Sequence, residues 1–81
     1  MKFLYAYHAE SQLQERKIDR AVVEDAIKNP DRIIPSRDNT IIAQKEGDGR
    51  LLRVVYKKEE DTHIIITAYY TNPHRYTEKK P

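Results

Sequence analysis

The order of apolar and polar positions along the chain predicts a strand, two helices and then a series of further strands. Residues 3–7 carry aromatic side chains at every second position, and this period of two is typical of a strand. Residues 9–17 are rich in strong helix formers, with Glu10 near the start and Arg16 near the end, as the helix dipole favours. They predict a short first helix.

A second helix is predicted over residues 20–28. Asp19 before it is a favourable N-cap residue, and the apolar residues within the segment fall on one stripe of a helix. Pro30 ends the helix, because the residue before a proline avoids the helical conformation.

The second half of the chain has the composition of strands. Residues 31–35 form a brief extended piece that its proline confines to a sheet edge or a loop. Residues 40–44 and 51–57 are predicted to pair as a hairpin, since residues 46–50 between them contain both glycines of the protein. Residues 63–71 are the most apolar and most β-branched run, which predicts the central strand.

This order predicts an α+β fold in which two N-terminal helices pack on one face of a mainly antiparallel sheet of about four strands. Alternation along the strands then assigns the faces. The even-numbered residues of 51–57 and of 63–71 are expected under the helices. The other side, which we call the open face, is expected to carry a basic and phenolic group of residues: Arg53, Lys57, Thr67 and Tyr69.

Size and composition limit the fold to one small domain. The chain has 81 residues, and we expect a single domain over residues 1–76 followed by a disordered tail over 77–81. The absence of cysteine excludes disulfides and thiolate metal sites. No apolar stretch approaches the roughly 20 residues of a membrane span, so a cytoplasmic protein is expected. The net charge of +2 permits nucleic-acid binding only if the positive charge is gathered on one face.

Candidate chemistry is concentrated at His74, Arg75 and Tyr76, the one place where an imidazole, a guanidinium and a phenol are consecutive. In the alternative interpretation, Tyr76 covers the end of the core and Arg75 is solvated. His8, where the first strand meets the first helix, is either a substrate contact or a residue that caps the turn. His63 is expected to be a solvated edge residue. With only three histidines, spread along the chain, we expect no metal site.

Several segments of the chain follow a recognisable series: Tyr7-His8-Ala9, residues 15–19, residues 27–31, residues 50–56, and residues 65–69 followed by Arg75-Tyr76. In these segments the chain resembles a family of small bacterial domains of unknown function that is grouped with the RelE, ParE and BrnT toxins of type II toxin-antitoxin systems. The resemblance covers nearly the whole chain and implies a RelE-like fold.

In the toxins, the resemblance implies cleavage of messenger RNA without a metal or another cofactor. The ribose 2′-hydroxyl attacks the neighbouring phosphate, so the site needs proton-transfer groups and cations for the growing phosphate charge. By position, Arg53 and Arg75 would be the phosphate cations. Tyr76 would transfer a proton, with His74 as a second candidate.

Further RNA contacts are expected around these groups. Arg53 and Lys57 share the open face with Tyr69, and basic residues with an aromatic ring between them suit single-stranded RNA. The matching helix start adds His8 and Arg16 as substrate-binding candidates.

Two functional hypotheses follow. The first is a toxin-like RNA-binding protein acting as an endoribonuclease on RNA alone or on the ribosome, and neutralised by an antitoxin that covers the open face. The second is a non-catalytic module that binds protein or nucleic acid on the same scaffold. A gyrase-directed toxin is a third alternative, and a homodimer is left open beside a monomer.

Overall fold

The computed structural model describes residues 1–72, which form five strands and two α-helices. The elements follow one another as β1 (Lys2–Tyr5), α1 (Ala9–Arg16), α2 (Arg20–Lys28), β2 (Arg32–Pro35), β3 (Ile41–Gly47), β4 (Arg50–Glu59) and β5 (Thr62–Thr71), with a short 3₁₀ turn at Arg37–Asn39. The predicted catalytic cluster of His74, Arg75 and Tyr76 and the predicted tail of 77–81 lie outside the described residues.

The strands form one mixed sheet in the order β1-β5-β4-β3-β2. β1 is parallel to β5, and the other three pairs are antiparallel. The α+β class with two helices is thus confirmed, but the count of about four strands was too low. The apolar run in β5 is also not central: β4 holds the middle position, and β5 lies between β4 and the edge strand β1.

Local sequence explains where the elements end. α1 ends at Lys17, whose backbone is left-handed (φ 57°) and whose N–H bonds to the carbonyls of Leu13 and Gln14. The predicted hairpin between β3 and β4 turns at Asp48 and Gly49, both with positive φ, the conformation that a tight two-residue turn requires. β2 is an edge strand, as its proline predicts.

The hydrophobic core lies between the two helices and one face of the sheet. The helices contribute Leu13, Val23 and Ile27, and β4 contributes Leu52 and Val54, all of them buried. The even-numbered positions of β4 therefore do face the helices. The odd-numbered positions of β4 lie on the opposite face, where Leu51 and Arg53 are buried as well.

A β-bulge in β5 changes the faces predicted for that strand. Val55 pairs with Thr67 and Tyr56 with Ile65, so Ile66 is an extra residue without a cross-strand partner in this ladder. Ala68 and Tyr70 therefore pack on the core side as expected, but Ile65 replaces Ile64 and Ile66 there and is fully buried. The faces predicted from strict alternation were wrong for the residues of β5 that precede Ile66, because one inserted residue exchanges the two faces of the strand.

Candidate nucleic-acid interface

The open face carries a row of four polar side chains that crosses four strands. Arg32 pairs with Gln44, Gln44 with Arg53, and Arg53 with Tyr69. Directly paired residues share a face, and the residues next to them on β3, β4 and β5 belong to the core, so these four side chains point away from the helices. We call Arg32, Gln44, Arg53 and Tyr69 the polar row.

Arg53 and Tyr69 are the best-defined pair in the polar row. The guanidinium carbon of Arg53 lies 6.0 Å from the centre of the Tyr69 ring. Arg53 is only 8% exposed, whereas Tyr69 is partly exposed. A cation that is shielded from bulk water interacts more strongly with an approaching anion. Alternation along the strands predicts that these two side chains share one surface, and the structure brings them together.

Lys57 shares the face but not the row. It lies four residues beyond Arg53 on β4, about 13 Å along the strand, and its cross-strand partner is Ile64. Lys57 is partly buried. It extends the positive charge of the open face towards the end where β1 pairs with β5.

Gln44 belongs to the polar row although its sequence pattern does not predict this. Its residue is 1% exposed, and neither the amide oxygen nor the amide nitrogen has a hydrogen-bond partner within residues 1–72. The sequence shows only a glutamine in an apolar strand, and the pairing of β3 with β4 in the structure is what places it on the open face. Arg32 was missed too, because its face depends on the pairing of β2 with β3.

An apolar row lies beside the polar row on the same face. Ile34 pairs with Ile42, and Ile42 with Val55. All three are partly exposed. Guanidinium, amide and phenol groups thus run parallel to a strip of branched aliphatic side chains, and this combination can hold a ligand that is partly charged and partly flat or apolar.

Thr67 does not belong to the open face, contrary to the expectation. Its hydroxyl donates to the side-chain oxygen of Gln12 at 2.6 Å and accepts from Arg16 at 3.0 Å. Both of these residues belong to α1. The bulge beside Thr67 accounts for the difference, because it turns this side chain towards the helix.

His8 and Arg16 lie at the two ends of α1 and not in the polar row. His8 is the exposed N-cap residue, makes no side-chain capping bond, and stacks edge-on against Tyr7 with 4.6 Å between ring centres. Arg16 is engaged with Thr67 and with the carbonyl of Ala68. Neither belongs to the polar row: Arg16 reaches the outer edge of β5, and His8 lies at the other end of α1.

His63 is buried rather than solvated, so the prediction of an edge histidine was wrong. It is 5% exposed, and its ring lies 5.4 Å from the rings of both Phe3 and Tyr56. Its Nδ1 atom is buried without a hydrogen-bond partner in the described part of the chain. The bulge explains this as well, since it places His63 and Ile65 on the same side as the core.

A tyrosine near α2 has the most perturbed electrostatics. The Tyr5 hydroxyl donates to a carboxylate oxygen of Glu24 at 2.7 Å, and the guanidinium carbon of Arg20 stands 4.6 Å above the Tyr5 ring. Burial, together with the hydrogen bond to Glu24 and its charge, raises the pKa of Tyr5 far above its ordinary value. Arg20 also pairs with Glu10. This cluster lies on the helix side and supports the fold rather than the polar row.

Over residues 1–72, no three His, Cys, Asp or Glu side chains are grouped so that they could hold a metal ion. None of the helices in this part of the chain has the length and apolar character needed to cross a membrane.

A family model described as a domain of unknown function, DUF4258, matches residues 5–70. No curated protein and no solved structure matches the chain. The matched segment contains both helices and the whole polar row.

Proposed function

We propose that this chain, which belongs to the DUF4258 family of domains of unknown function, is a toxin-like protein that binds single-stranded RNA on the open face of its sheet. The observation that carries the proposal is the polar row, and above all the pairing of Arg53 with Tyr69. A cation for the phosphate beside a ring for the base is the basic unit of single-strand recognition.

The other groups on the face suit the same ligand. Arg32 lies two strands from Arg53 in the polar row, and Lys57 lies four residues beyond Arg53 along β4. A phosphodiester backbone running across the strands therefore meets Arg32 and Arg53, and Lys57 adds positive charge to one side of that path. The partly exposed aliphatic row of Ile34, Ile42 and Val55 offers apolar area to unstacked bases. Net charge is only +2, so this clustering matters more than the total.

We further propose that bound RNA is cleaved. The ribose 2′-hydroxyl attacks the adjacent phosphorus and loses its proton to the neutral imidazole of His74. The bond to the 5′-oxygen breaks and that oxygen takes up the proton of the Tyr76 hydroxyl, leaving a 2′,3′-cyclic phosphate and a free 5′-hydroxyl. Arg53 and Arg75 offset the charge on the phosphate oxygens.

A second function is favoured by the apolar row. Ile34, Ile42 and Val55 form a strip suited to a protein segment, and acidic side chains beside that strip would pair with the polar row. An antitoxin bound in this way would block RNA. A module that binds such a segment without any catalysis is the alternative to the ribonuclease.

RNA binding is tested by titrating the protein against a labelled, unstructured RNA at several salt concentrations. The logarithm of the binding constant should fall linearly with the logarithm of the salt concentration. Tyr69→Ala should weaken binding about tenfold or more, as loss of one stacked base predicts. Arg32→Gln should reduce the salt slope by about one. Lys28→Gln is the matched control, because Lys28 is an exposed cation on the helix side. Binding that is absent, independent of salt, or unaffected by Tyr69→Ala overturns the proposal.

Cleavage is tested separately by analysing the ends of RNA incubated with the protein, with and without ribosomes. Products with 2′,3′-cyclic phosphate ends, lost in Tyr76→Phe together with His74→Ala, support the ribonuclease. Intact RNA in both incubations, with RNA binding retained, removes the catalytic step and leaves the binding function.

A further inference from the structure

We propose that β1 pairs with the β1 strand of a second copy of this chain, so that two five-stranded sheets join into one continuous sheet. The pairing is antiparallel, and a two-fold axis passes between the two Leu4 residues. Because directly paired residues share a face of a sheet, the open faces of both copies lie on the same side. The contact is separate from the polar row, and it does not depend on RNA binding.

The first argument is the backbone of β1, an edge strand with unpaired groups on its outer side. Its only strand neighbour within residues 1–72 is β5. The backbone N–H groups of Lys2 and Ala6 each donate to a carbonyl of the neighbouring segment at 2.9 Å. Alternate residues of an edge strand in a parallel ladder point towards the neighbour, so the N–H and C=O groups of Phe3 and Tyr5 point outward.

The second argument is that exposed apolar side chains are concentrated along this edge. Leu4 is 56% exposed in the middle of β1, and Met1 and Tyr7, just before and after the strand, are exposed as well. Among the exposed large apolar residues of the described part of the chain, only Val22 and Ile33 lie elsewhere. Apolar side chains beside outward backbone groups are the features of a strand that pairs with another chain.

The register follows from the backbone groups to be paired. In an antiparallel pair, two residues that exchange both of their N–H···O bonds lie directly opposite each other. Phe3 of each copy placed opposite Tyr5 of the other therefore gives four hydrogen bonds, which use every outward backbone group of these two residues. A register centred on Phe3 or on Tyr5 gives only two within the strand. The edge is thus complementary to itself in the register centred on Leu4.

The side chains on the open face fit the same register. Leu4 lies opposite Leu4 of the second copy in a non-hydrogen-bonded pair, in which the Cα atoms are about 4.5 Å apart and the side chains are closest. Leu4 also pairs with Ile64 of its own copy, so the contact continues an apolar strip from one sheet into the other. Lys2 lies opposite Ala6 of the second copy, so that no like charges face each other in this pairing.

The other edge of the sheet, at β2, is less suited to such pairing. The N–H of Ser36 bonds to the carbonyl of Thr40, and this sets which residues of β2 point towards β3. By alternation, the backbone groups of Ile33 and Pro35 point outward. Proline has no N–H, so β2 offers one outward donor where β1 offers two. A proline is also a common means of protecting an edge strand from association.

The oligomeric state of the chain without nucleic acid tests the proposal. Sedimentation equilibrium over a range of concentrations should show a reversible monomer–dimer equilibrium for the wild type. Leu4→Glu should raise the dissociation constant about tenfold or more, because it removes the apolar contact and sets like charges opposite each other. Ile33→Glu is the matched control: Ile33 is 53% exposed on the other edge strand, and its replacement should leave the dimer unchanged. Circular dichroism checks that both variants are folded.

A cysteine variant tests the register. The chain contains no cysteine, so Leu4→Cys carries one thiol per copy. The Cα atoms of a non-hydrogen-bonded pair are close enough for a disulfide, and oxidised glutathione should therefore link two copies covalently. Ile33→Cys, treated at the same concentration, is the control and should form far less covalent dimer.

The outcomes that overturn the proposal are distinct. A wild type that is monomeric at every concentration rejects the dimer, and a dimer that persists in folded Leu4→Glu or is lost equally in Ile33→Glu rejects this surface. Equal cross-linking of Leu4→Cys and Ile33→Cys rejects it as well. If Leu4→Glu does not fold, the cysteine variants decide, since a wild-type dimer without cross-linking at position 4 rejects the register centred on Leu4.

Discussion

Arg16 donates a hydrogen bond from its guanidinium to the carbonyl oxygen of Ala68 at 2.9 Å, joining α1 to β5 across 52 positions of sequence. β1 pairs only with the first part of β5, from Thr62 to Ile65. Within residues 1–72, no strand pairs with the outer side of β5 beyond that point. α1 takes the place of a strand there. It covers this part of the edge of β5, whose backbone groups could otherwise pair with another chain.

Replacement of Arg16 by methionine should therefore destabilise the protein although the side chain is exposed. It removes the bonds to Ala68 and Thr67 while keeping the aliphatic stem. We expect a loss of about 1 kcal/mol in the free energy of unfolding, measured by urea denaturation, and a greater tendency to aggregate. Lys17→Met, a neighbouring exposed cation, is the control and should have a smaller effect. Equal stability of the Arg16 variant and the wild type would show that α1 does not depend on this contact.

The stability of the protein should fall in alkaline solution because of Tyr5. Burial and the bond to Glu24 raise the pKa of Tyr5 above its ordinary value of about 10. Above about pH 10 the unfolded chain releases the tyrosine proton that the folded chain keeps. The free energy of unfolding therefore decreases as pH rises. Tyr5→Phe should flatten this decrease, while Tyr7→Phe, at a 90% exposed residue, should not. Urea denaturation between pH 8 and 11 provides the measurement, in a range set by the tyrosine pKa. A slope unchanged in Tyr5→Phe would assign the effect to other groups, such as Tyr56, whose pKa burial also raises.

Asp25 should make the protein sensitive to acid. Asn29 donates to its carboxylate at 2.9 Å, and the Lys45 ammonium lies 3.6 Å away. The hydrogen bond from Asn29, with the charge of Lys45, lowers the pKa of Asp25 below its ordinary value. The resulting stabilisation is complete at neutral pH and disappears as pH falls through that lowered pKa. Asp25→Asn should reduce the change in melting temperature between neutral and acidic solution. Asp38→Asn, at an exposed turn residue, is the control, and an identical pH response in both variants would contradict the assignment.

The fold could be predicted from the sequence as far as local signals reach. The helix over residues 20–28 was placed correctly because Asp19 and Pro30 mark its two ends, and the β3–β4 turn because its glycine marks a positive φ. The parallel pairing of β1 with β5 joins residues about 60 positions apart, and no local pattern encodes it. No local pattern predicts the bulge at Ile66 either, because it depends on how the two faces of the sheet pack.

The candidate site divides in the same way. Arg53 and Tyr69 could be placed together because strand parity holds on β4 and on the second half of β5. Gln44 and Arg32 could not, since their membership of the row depends on a register between strands that composition does not fix. Thr67 was misplaced by the bulge, and the same bulge carried His63 from the surface into the core.

The bulge itself can be tested with two adjacent isoleucines. Ile65 is fully buried on the core side, whereas Ile64 is only partly buried on the open face. Ile65→Ala should lower the free energy of unfolding by about 2–5 kcal/mol, because it leaves a cavity against Tyr56 and the helices. Ile64→Ala should cost clearly less, since its neighbours can close over the gap and water already reaches it. Urea denaturation of both variants gives the two free energies of unfolding that are to be compared. Strict alternation from Ala68 and Tyr70 predicts the reverse order, so a larger loss at Ile64 would mean that β5 runs without the bulge.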